Sequence, residues 1–164
     1  MPPLTKLREF LDTNRVAYQV LAHPQAFTAQ ELAAVEHVPG KEQAKVVVLR
    51  SGSEFFMVVL PAPYHVDLQK ARAATGKQNL VLATEKEFVS LFPDCEPGAM
   101  PPFGNLYNVP VWVDELLARD EEIVLNACTH TQAIKMKYAD FARLVCPRVA
   151  SLRRELPAEA IRGH

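Results

Sequence analysis

Hydrophobic positions recur along this chain at two different periods, and together they predict a protein with both helices and strands. Near the start, Leu4, Leu7, Phe10 and Leu11 follow the spacing of an amphipathic helix, which Asn14 ends. Short apolar runs later in the chain are typical of strands. We expect these strands at 16–21, 44–49, 55–60, 80–83, 111–113, 123–126 and 133–136.

Capping residues mark where further helices begin. Thr28–Glu31 and Thr84–Glu87 both carry the Thr-x-x-Glu pattern of a capping box, and Gly76 is placed to end a helix that starts at Asp67. Pro147 can open a last helix because its missing N–H is not needed there. We expect helices at 28–35, 67–74, 84–91 and 138–145, and a last one with Val149, Leu152 and Leu156 on one face.

The predicted strands come in hairpin-like pairs, most clearly where Ser51-Gly52-Ser53 joins two strongly apolar runs. Continuous apolar runs are typical of strands that are covered on both faces. The order of about seven strands and several helices indicates an α+β fold with a mixed or antiparallel sheet, open or closed into a barrel.

Composition restricts the class of protein. The chain has 164 residues, of which 49% are hydrophobic and 23% charged, so we expect one folded domain. A net charge of −1 argues against nucleic-acid binding by bulk charge but leaves room for a local basic groove. No apolar run approaches the ~20 residues of a spanning helix, and no secretory signal is visible, so we expect no membrane association.

The cysteines favour a reducing compartment. Cys95, Cys128 and Cys146 are widely spaced and form no Cys-x-x-Cys motif. We therefore expect no disulfide framework and take the cytoplasm as the default location.

Lys45 is unusual because it stands at the start of an apolar strand. One interpretation is an edge lysine with a buried stem and a solvated head. The other is an ammonium group directed into a cleft, where it can hold a phosphate or a carbonyl oxygen.

The segment from Pro93 to Pro110 is rich in proline and glycine, so it is neither a regular helix nor a central strand. Its apolar residues indicate an ordered loop. Such a loop can direct backbone N–H groups at an oxygen, or it can be a structural crossover.

Histidines and cysteines allow three further interpretations. Cys128 and His130 lie two residues apart, which permits a nucleophilic pair in a thiol hydrolase, although a buried structural cysteine is commoner. A zinc site from Cys95, Cys128, His130 and His23 is weakly supported because no short ligand spacing repeats. His23-Pro24 fits either a site or simple turn chemistry.

Taken in chain order, these motifs form a recognisable series. They are His23-Pro24, Thr28-Ala29-x-Glu31, Lys45, Gly98-x-x-x-Pro102-x-Gly104 and Thr129-His130, with Phe92-Pro93-Asp94-Cys95-Glu96 before the glycine loop. The series resembles the YbaK / prolyl-tRNA-synthetase-associated aminoacyl-tRNA editing domain family in its free-standing form. The resemblance extends from about residue 4 to residue 146, and it implies a mainly antiparallel, barrel-like sheet of about six to seven strands with flanking helices.

The resemblance also implies an activity, since members of that family hydrolyse the ester between a wrong amino acid and its tRNA. It implies a small pocket that acts as a second sieve, a water nucleophile assisted by a ribose hydroxyl, and no cofactor or metal. The expected partners are the 3′ end of a mischarged tRNA and an aminoacyl-tRNA synthetase. The implied catalytic residues are Lys45, Gly98 and His130, and the implied substrate-binding residues are His23, Thr28, Met100, Pro102, Phe103, Gly104 and Cys128.

Two positions depart from the family pattern, because Cys128 and Asn108 stand where glycine is expected. A non-catalytic relative that binds tRNA or another ligand and has a regulatory role is therefore the alternative function. We place the editing domain at 1–146 and a helical extension at 147–164, whose arginines form either a local tRNA contact or a solvated face.

Overall fold

Two β-sheets form the framework of the computed structural model, which describes residues 3–22, 43–93, 95–96, 99–129 and 132–154. Within these ranges the helices are α1 (Pro3–Thr13), α2 (Leu68–Thr75), α3 (Glu85–Phe88) and α4 (Tyr138–Val145). The strands are β1 (Tyr18–Ala22), β2 (Ala44–Ser51), β3 (Glu54–Pro61), β4 (Val81–Leu82), β5 (Val111–Asp114), β6 (Glu122–Asn126), β7 (Gln132–Lys137) and β8 (Arg148–Ala150). Short 3₁₀ turns lie at Val89–Leu91, Gly104–Leu106 and Leu117–Arg119.

One sheet is antiparallel and the other is mixed, which agrees with the expected mixed or antiparallel arrangement. The order β1-β7-β6 forms an antiparallel three-stranded sheet, and β4-β2-β3-β5-β8 forms a five-stranded sheet. Within the larger sheet, β2 is antiparallel to its neighbours, whereas β5 is parallel to both β3 and β8. The α+β class is thus confirmed, but the described strands form two sheets and not a closed barrel.

Local sequence signals set most of the element boundaries. The Thr84 hydroxyl accepts a hydrogen bond from the Glu87 amide, and the Glu87 carboxylate accepts one from the Thr84 amide, so the predicted capping box is confirmed. Asp67 caps α2, and Gly76 ends it with φ at +74°. Gly52, with φ at +61°, forms the β2–β3 turn.

The five-stranded sheet is covered on both faces, which confirms the expectation from its apolar runs. Alternate residues of β3 point to opposite sides. One side meets a main core with α1, α4 and the three-stranded sheet, and the other meets a second core around α2. Residues of β2 and β3 in the main core are Ala44, Val48, Met57 and Val59, and those in the second core are Leu49, Phe56, Val58 and Leu60.

The helix predicted from Pro147 is wrong for the described part of that segment. Cys146 adopts a left-handed conformation that ends α4, and Arg148–Ala150 then pairs with β5 as a parallel strand. The spacing of Val149 and Leu152 suits a helix locally, but the open edge of β5 supplies backbone partners for a strand. Leu152 is buried in the second core, so these residues belong to the same fold as the rest.

Some predicted elements lie outside the described residues. These are the Thr28–Glu31 helix, the turn at Pro39-Gly40 and the part of the C-terminal extension that contains Leu156. No helix among the described residues has the length and apolar character needed to cross a membrane.

Candidate functional site

Lys45 lies near the start of β2 and is half-buried. Its ammonium group donates a hydrogen bond to the backbone carbonyl of Tyr64. Burial lowers the pKa of Lys45, because removing the ammonium group from water disfavours its charged form. The head of this lysine is therefore not simply solvated, and its binding of a phosphate or a carbonyl oxygen stays a prediction.

The two sheets approach each other beside Lys45. Gln43 forms an isolated parallel bridge with Val124 of β6, and Ala62 donates its amide to the Gln43 carbonyl at 2.8 Å. β2 and β6 run in the same direction at this bridge. Lys45, two residues after Gln43, therefore lies toward the C-terminal end of β6. That end leads to the turn that contains Cys128.

The proline- and glycine-rich segment 93–110, here called the glycine–proline loop, is hydrogen-bonded to the same turn. The Glu96 amide donates to the Cys128 carbonyl at 2.8 Å, and the Cys128 amide donates to the Ala99 carbonyl at 2.9 Å. The predicted catalytic residues Gly98 and His130 lie outside the described residues, as do His23 and Thr28. The roles of these four residues stay predictions.

Apolar residues of this loop anchor it in the main core. Phe103 is fully buried, with ring centroids 6.0 Å from Phe10 and 5.5 Å from Phe141. Met100 is also buried in that core, and Pro102 is buried. For its described residues 99–110 the predicted ordered loop is confirmed, and the Met100 and Phe103 side chains anchor this part in the main core. Contact of Met100, Pro102 and Phe103 with substrate stays a prediction.

Gly104 allows two parts of the chain to approach closely. A Cβ atom at this position would lie 2.1 Å from the Val109 carbonyl oxygen and 2.5 Å from Val111 Cγ2. The Gly104 carbonyl accepts the amides of Tyr107 and Val109, each at 2.9 Å. Its substrate-binding role stays a prediction, but its packing role is evident from this geometry.

The expectation of unpaired cysteines is wrong for two of the three. The structure joins Cys95 and Cys128 in a disulfide, with Cα atoms 4.2 Å apart, while Cys146 is free and exposed. Sequence spacing carried no signal for this pair because the partners are 33 residues apart and meet only through the loop contacts. A disulfide sulfur is no nucleophile, so the paired state does not support the thiol-hydrolase interpretation.

Both departures from the family pattern occur at left-handed backbone positions. Cys128 has φ at +72° and Asn108 has φ at +59°, a region that favours glycine. The expectation of glycine at these two positions thus has a conformational cause. Cys128 is also buried, with 1% of its surface exposed, so its side chain occupies space in the interior.

Two buried polar residues were not predicted from the sequence. Gln43 is fully buried two residues before Lys45, and a polar–apolar–polar alternation at 43–45 was the available signal. Asp114 is also fully buried and binds Arg153, its Oδ2 lying 3.0 Å from the guanidinium Nη1. No pattern could reveal that pair, because the two residues lie 39 positions apart. Arg153 is thereby engaged inside the fold and not on a solvated helix face.

The described residues contain no group of three or more metal-ligating side chains. Of the four residues considered for zinc, Cys95 and Cys128 are joined to each other, and His23 and His130 lie outside the described ranges. The described geometry thus adds nothing in favour of a metal centre.

Comparison with known proteins gives four informative similarities. The family model for the aminoacyl-tRNA editing domain matches residues 23–144. A proline–tRNA ligase from Staphylococcus saprophyticus is 32% identical over 104 residues, which span 63% of this chain and only 18% of that ligase.

Solved structures with low sequence identity share the fold. A candidate trans-editing enzyme for prolyl-tRNA synthetase has a TM-score of 0.81 at 21% identity, and the match covers 94% of this chain and 99% of that one. A scaffold protein used to present grafted linear epitopes has a TM-score of 0.83 at 21% identity, covering 95% and 99%.

Proposed function

The chain belongs to the aminoacyl-tRNA editing domain family, and on this premise we propose that it is a trans-editing deacylase. Its substrate is a mischarged tRNA that carries a small amino acid, and its reaction is hydrolysis of the ester at the tRNA 3′ end. The observation that carries the proposal is the half-buried Lys45 ammonium at the junction of the two sheets.

An aminoacyl ester is already activated, so the protein has mainly to position it and stabilise charge. Lys45 holds a phosphate of the terminal adenosine or polarises the ester carbonyl. Its Tyr64 hydrogen bond keeps the ammonium group oriented until substrate arrives. Backbone donors near Gly98 bind the carbonyl oxygen as it gains negative charge.

Water is the nucleophile in this proposal, assisted by a ribose hydroxyl of the substrate and by His130. No thiol is needed, which agrees with the pairing of Cys128 to Cys95. Lys45 carries no covalent intermediate. Its effect is electrostatic. The attraction between Lys45 and the substrate is stronger than at an exposed position, because a half-buried charge is screened less by water.

Substrate selection follows from size. Ala99 and Cys128 are both buried and are hydrogen-bonded to each other, and the proposal places a small pocket beside them. A small pocket excludes large side chains and admits small ones, which is the second sieve of editing. Cys128 in place of glycine makes that pocket smaller still.

Similarity to a proline–tRNA ligase suggests how substrate is delivered. We expect the chain to act on tRNA charged by a synthetase, either free or bound to that enzyme. With a net charge of −1, the protein has weak bulk attraction for tRNA, so delivery by a synthetase would compensate.

A panel of mischarged tRNAs tests the proposal. Alanine, cysteine, serine and threonine would each be loaded on proline tRNA, together with matched non-cognate pairs, and release of amino acid would be followed over time. We expect fast hydrolysis of one or two small esters. Hydrolysis of none, by protein shown to be folded, would contradict the deacylase and favour the non-catalytic relative.

A further inference from the structure

Gln43 is a buried carboxamide without hydrogen-bond partners. Its side chain is 0% exposed, and among the described residues neither Nε2 nor Oε1 has a partner. Its backbone, in contrast, is paired with Ala62 and bridged to Val124. Native proteins rarely leave both ends of a buried amide unpaired, so this side chain calls for an explanation.

The position of Gln43 relates it to the proposed site. Side chains two residues apart in a strand point to the same face, so Gln43 and Lys45 share one face of β2. Their Cα atoms are separated by roughly 7 Å, the rise of two strand residues. Ala44 between them faces the main core on the opposite side. The unpaired amide therefore adjoins the lysine on the side away from the main core.

We propose that Gln43 is a substrate-binding residue that recognises the α-amino ester head of the charged amino acid. Its Oε1 accepts a hydrogen bond from the α-ammonium group, and its Nε2 donates one to the ester carbonyl oxygen. This inference rests on the proposed deacylase function. It deepens that function by assigning a second recognition group beside Lys45.

The chemistry of the face supports this assignment. Lys45 is a cation that only donates hydrogen bonds, so it repels an ammonium group and cannot bind it. Glu122 lies on the same face of β6 as Val124, but its carboxylate is 3.9 Å from the Lys135 ammonium. The Gln43 oxygen is an acceptor without a partner among the described residues, and the adjacent Nε2 matches the carbonyl two bonds from the ammonium.

The spacing favours the ester head over the adenine base. If Lys45 contacts the ester or the neighbouring phosphate, an amide about 7 Å along the strand reaches atoms a few bonds away. The adenine edge is further off, beyond the ribose ring. Because the amide contacts groups that all amino acids share, it selects for a free α-amino ester and leaves side-chain selection to the pocket.

Gln43→Met tests the proposal, since methionine has nearly the same volume and no hydrogen-bonding amide. Deacylation would be measured with one tRNA carrying the preferred amino acid, either with a free amine or N-acetylated. Gln19→Met is the matched control, because Gln19 is an exposed glutamine on β1. Thermal unfolding of all three proteins would be recorded alongside.

We expect Gln43→Met to lower kcat/KM for the free amine by about 10- to 100-fold, the effect of one or two hydrogen bonds. The wild type should prefer the free amine over the N-acetyl substrate, and Gln43→Met should lose that preference, because only the free amine provides an ammonium group for Oε1. Its melting temperature should be unchanged or higher, because an unpaired buried amide is removed. Gln19→Met should behave as the wild type.

Unchanged kcat/KM in Gln43→Met would overturn the inference and leave the deacylase intact. Equal losses on both substrates together with a lower melting temperature would also overturn it, since they indicate a structural role. Absence of hydrolysis by the wild type would remove the proposed function and this inference with it.

Discussion

The Cys128 amide donates a hydrogen bond to the Ala99 carbonyl over 2.9 Å, and this bond connects the glycine–proline loop to the turn after β6. The Glu96 amide completes the connection by donating to the Cys128 carbonyl at 2.8 Å. Cys128 thus joins the two segments in which the resemblance places Gly98 and His130. Its backbone conformation therefore constrains how the loop and the turn meet.

Glycine should suit position 128 better than alanine. With φ at +72°, any residue with a Cβ atom is strained, and glycine is not. We expect Cys128→Gly to be more stable than Cys128→Ala by about 1 kcal/mol, measured by urea denaturation. Both variants lack the disulfide, so the difference isolates the backbone. Greater stability of the alanine variant would contradict the left-handed assignment.

Gly104 should tolerate no side chain. The Gly104→Ala Cβ atom would overlap the Val109 carbonyl, so we expect a loss of more than about 3 kcal/mol in the free energy of unfolding. Gly52→Ala is the control, because nothing lies within 4 Å of a Cβ there and only its φ of +61° opposes the change. That variant should lose about 1 kcal/mol. Equal losses of unfolding free energy in the two variants would contradict this, because the backbone around Gly104 would then move to accommodate the Cβ atom at little cost.

Asp114 should be essential for attachment of the C-terminal strand. Its carboxylate accepts the amides of Leu152 at 2.8 Å and Arg153 at 3.0 Å, besides the Arg153 guanidinium. Asp114→Ala removes a fully buried carboxylate from an ion pair and from these hydrogen bonds, and should lower the free energy of unfolding by about 3–5 kcal/mol. Glu54→Ala, which removes only an exposed ion pair with Lys77, should cost at most about 1 kcal/mol. A loss of less than about 1 kcal/mol in Asp114→Ala would contradict this, because it would mean that residues 148–154 contribute little to the stability of the domain.

Reduction should destabilise the protein through the Cys95–Cys128 pair. Opening a disulfide between partners 33 residues apart lowers the free energy of unfolding by up to about 4 kcal/mol, because the unfolded chain gains conformational entropy. Denaturation with and without reductant measures the change, and Cys95→Ser should be insensitive to reductant. Three reactive thiols in the unreduced, unfolded wild type, instead of the single Cys146, would show that the pair does not form.

The pH dependence of stability should contain a contribution from Lys45. Burial lowers its pKa, so between the folded and unfolded pKa values the unfolded chain binds more protons. The contribution of Lys45 to the free energy of unfolding therefore rises with pH across that window. Lys45→Met should abolish this rise when the two unfolding profiles are compared at alkaline pH. An unchanged profile would mean that the lysine is well solvated.

Local signals in the sequence predict the elements that depend on neighbouring residues. The Thr84–Glu87 capping box, the Gly76 helix end and the β2–β3 hairpin are confirmed because each is stabilised within a few residues. The same limit explains the failure at Arg148–Ala150. Its strand depends on β5, 36 residues away in register, which no local periodicity reveals.

The sequence predicted site residues only where a residue type is unusual for its surroundings, such as a charged residue in an apolar strand. Lys45 stands out as a charge in an apolar strand, and in the structure its half-buried side chain bonds to the Tyr64 carbonyl. The Cys95–Cys128 disulfide and the Asp114–Arg153 pair arise from distant segments that meet only in the folded chain. Gln43 was visible in the pattern, but its lack of partners is a property of the structure.

Deacylation by Lys45→Ala tests the central claim most directly. The preferred mischarged tRNA would be incubated with wild type, Lys45→Ala and Lys45→Arg, each shown to be folded by its thermal unfolding transition. Removal of the ammonium group should lower the rate by about 10²–10³-fold, and arginine should restore part of it. Hydrolysis by Lys45→Ala at the wild-type rate would contradict the account, because catalysis would then occur without the charge on which it depends.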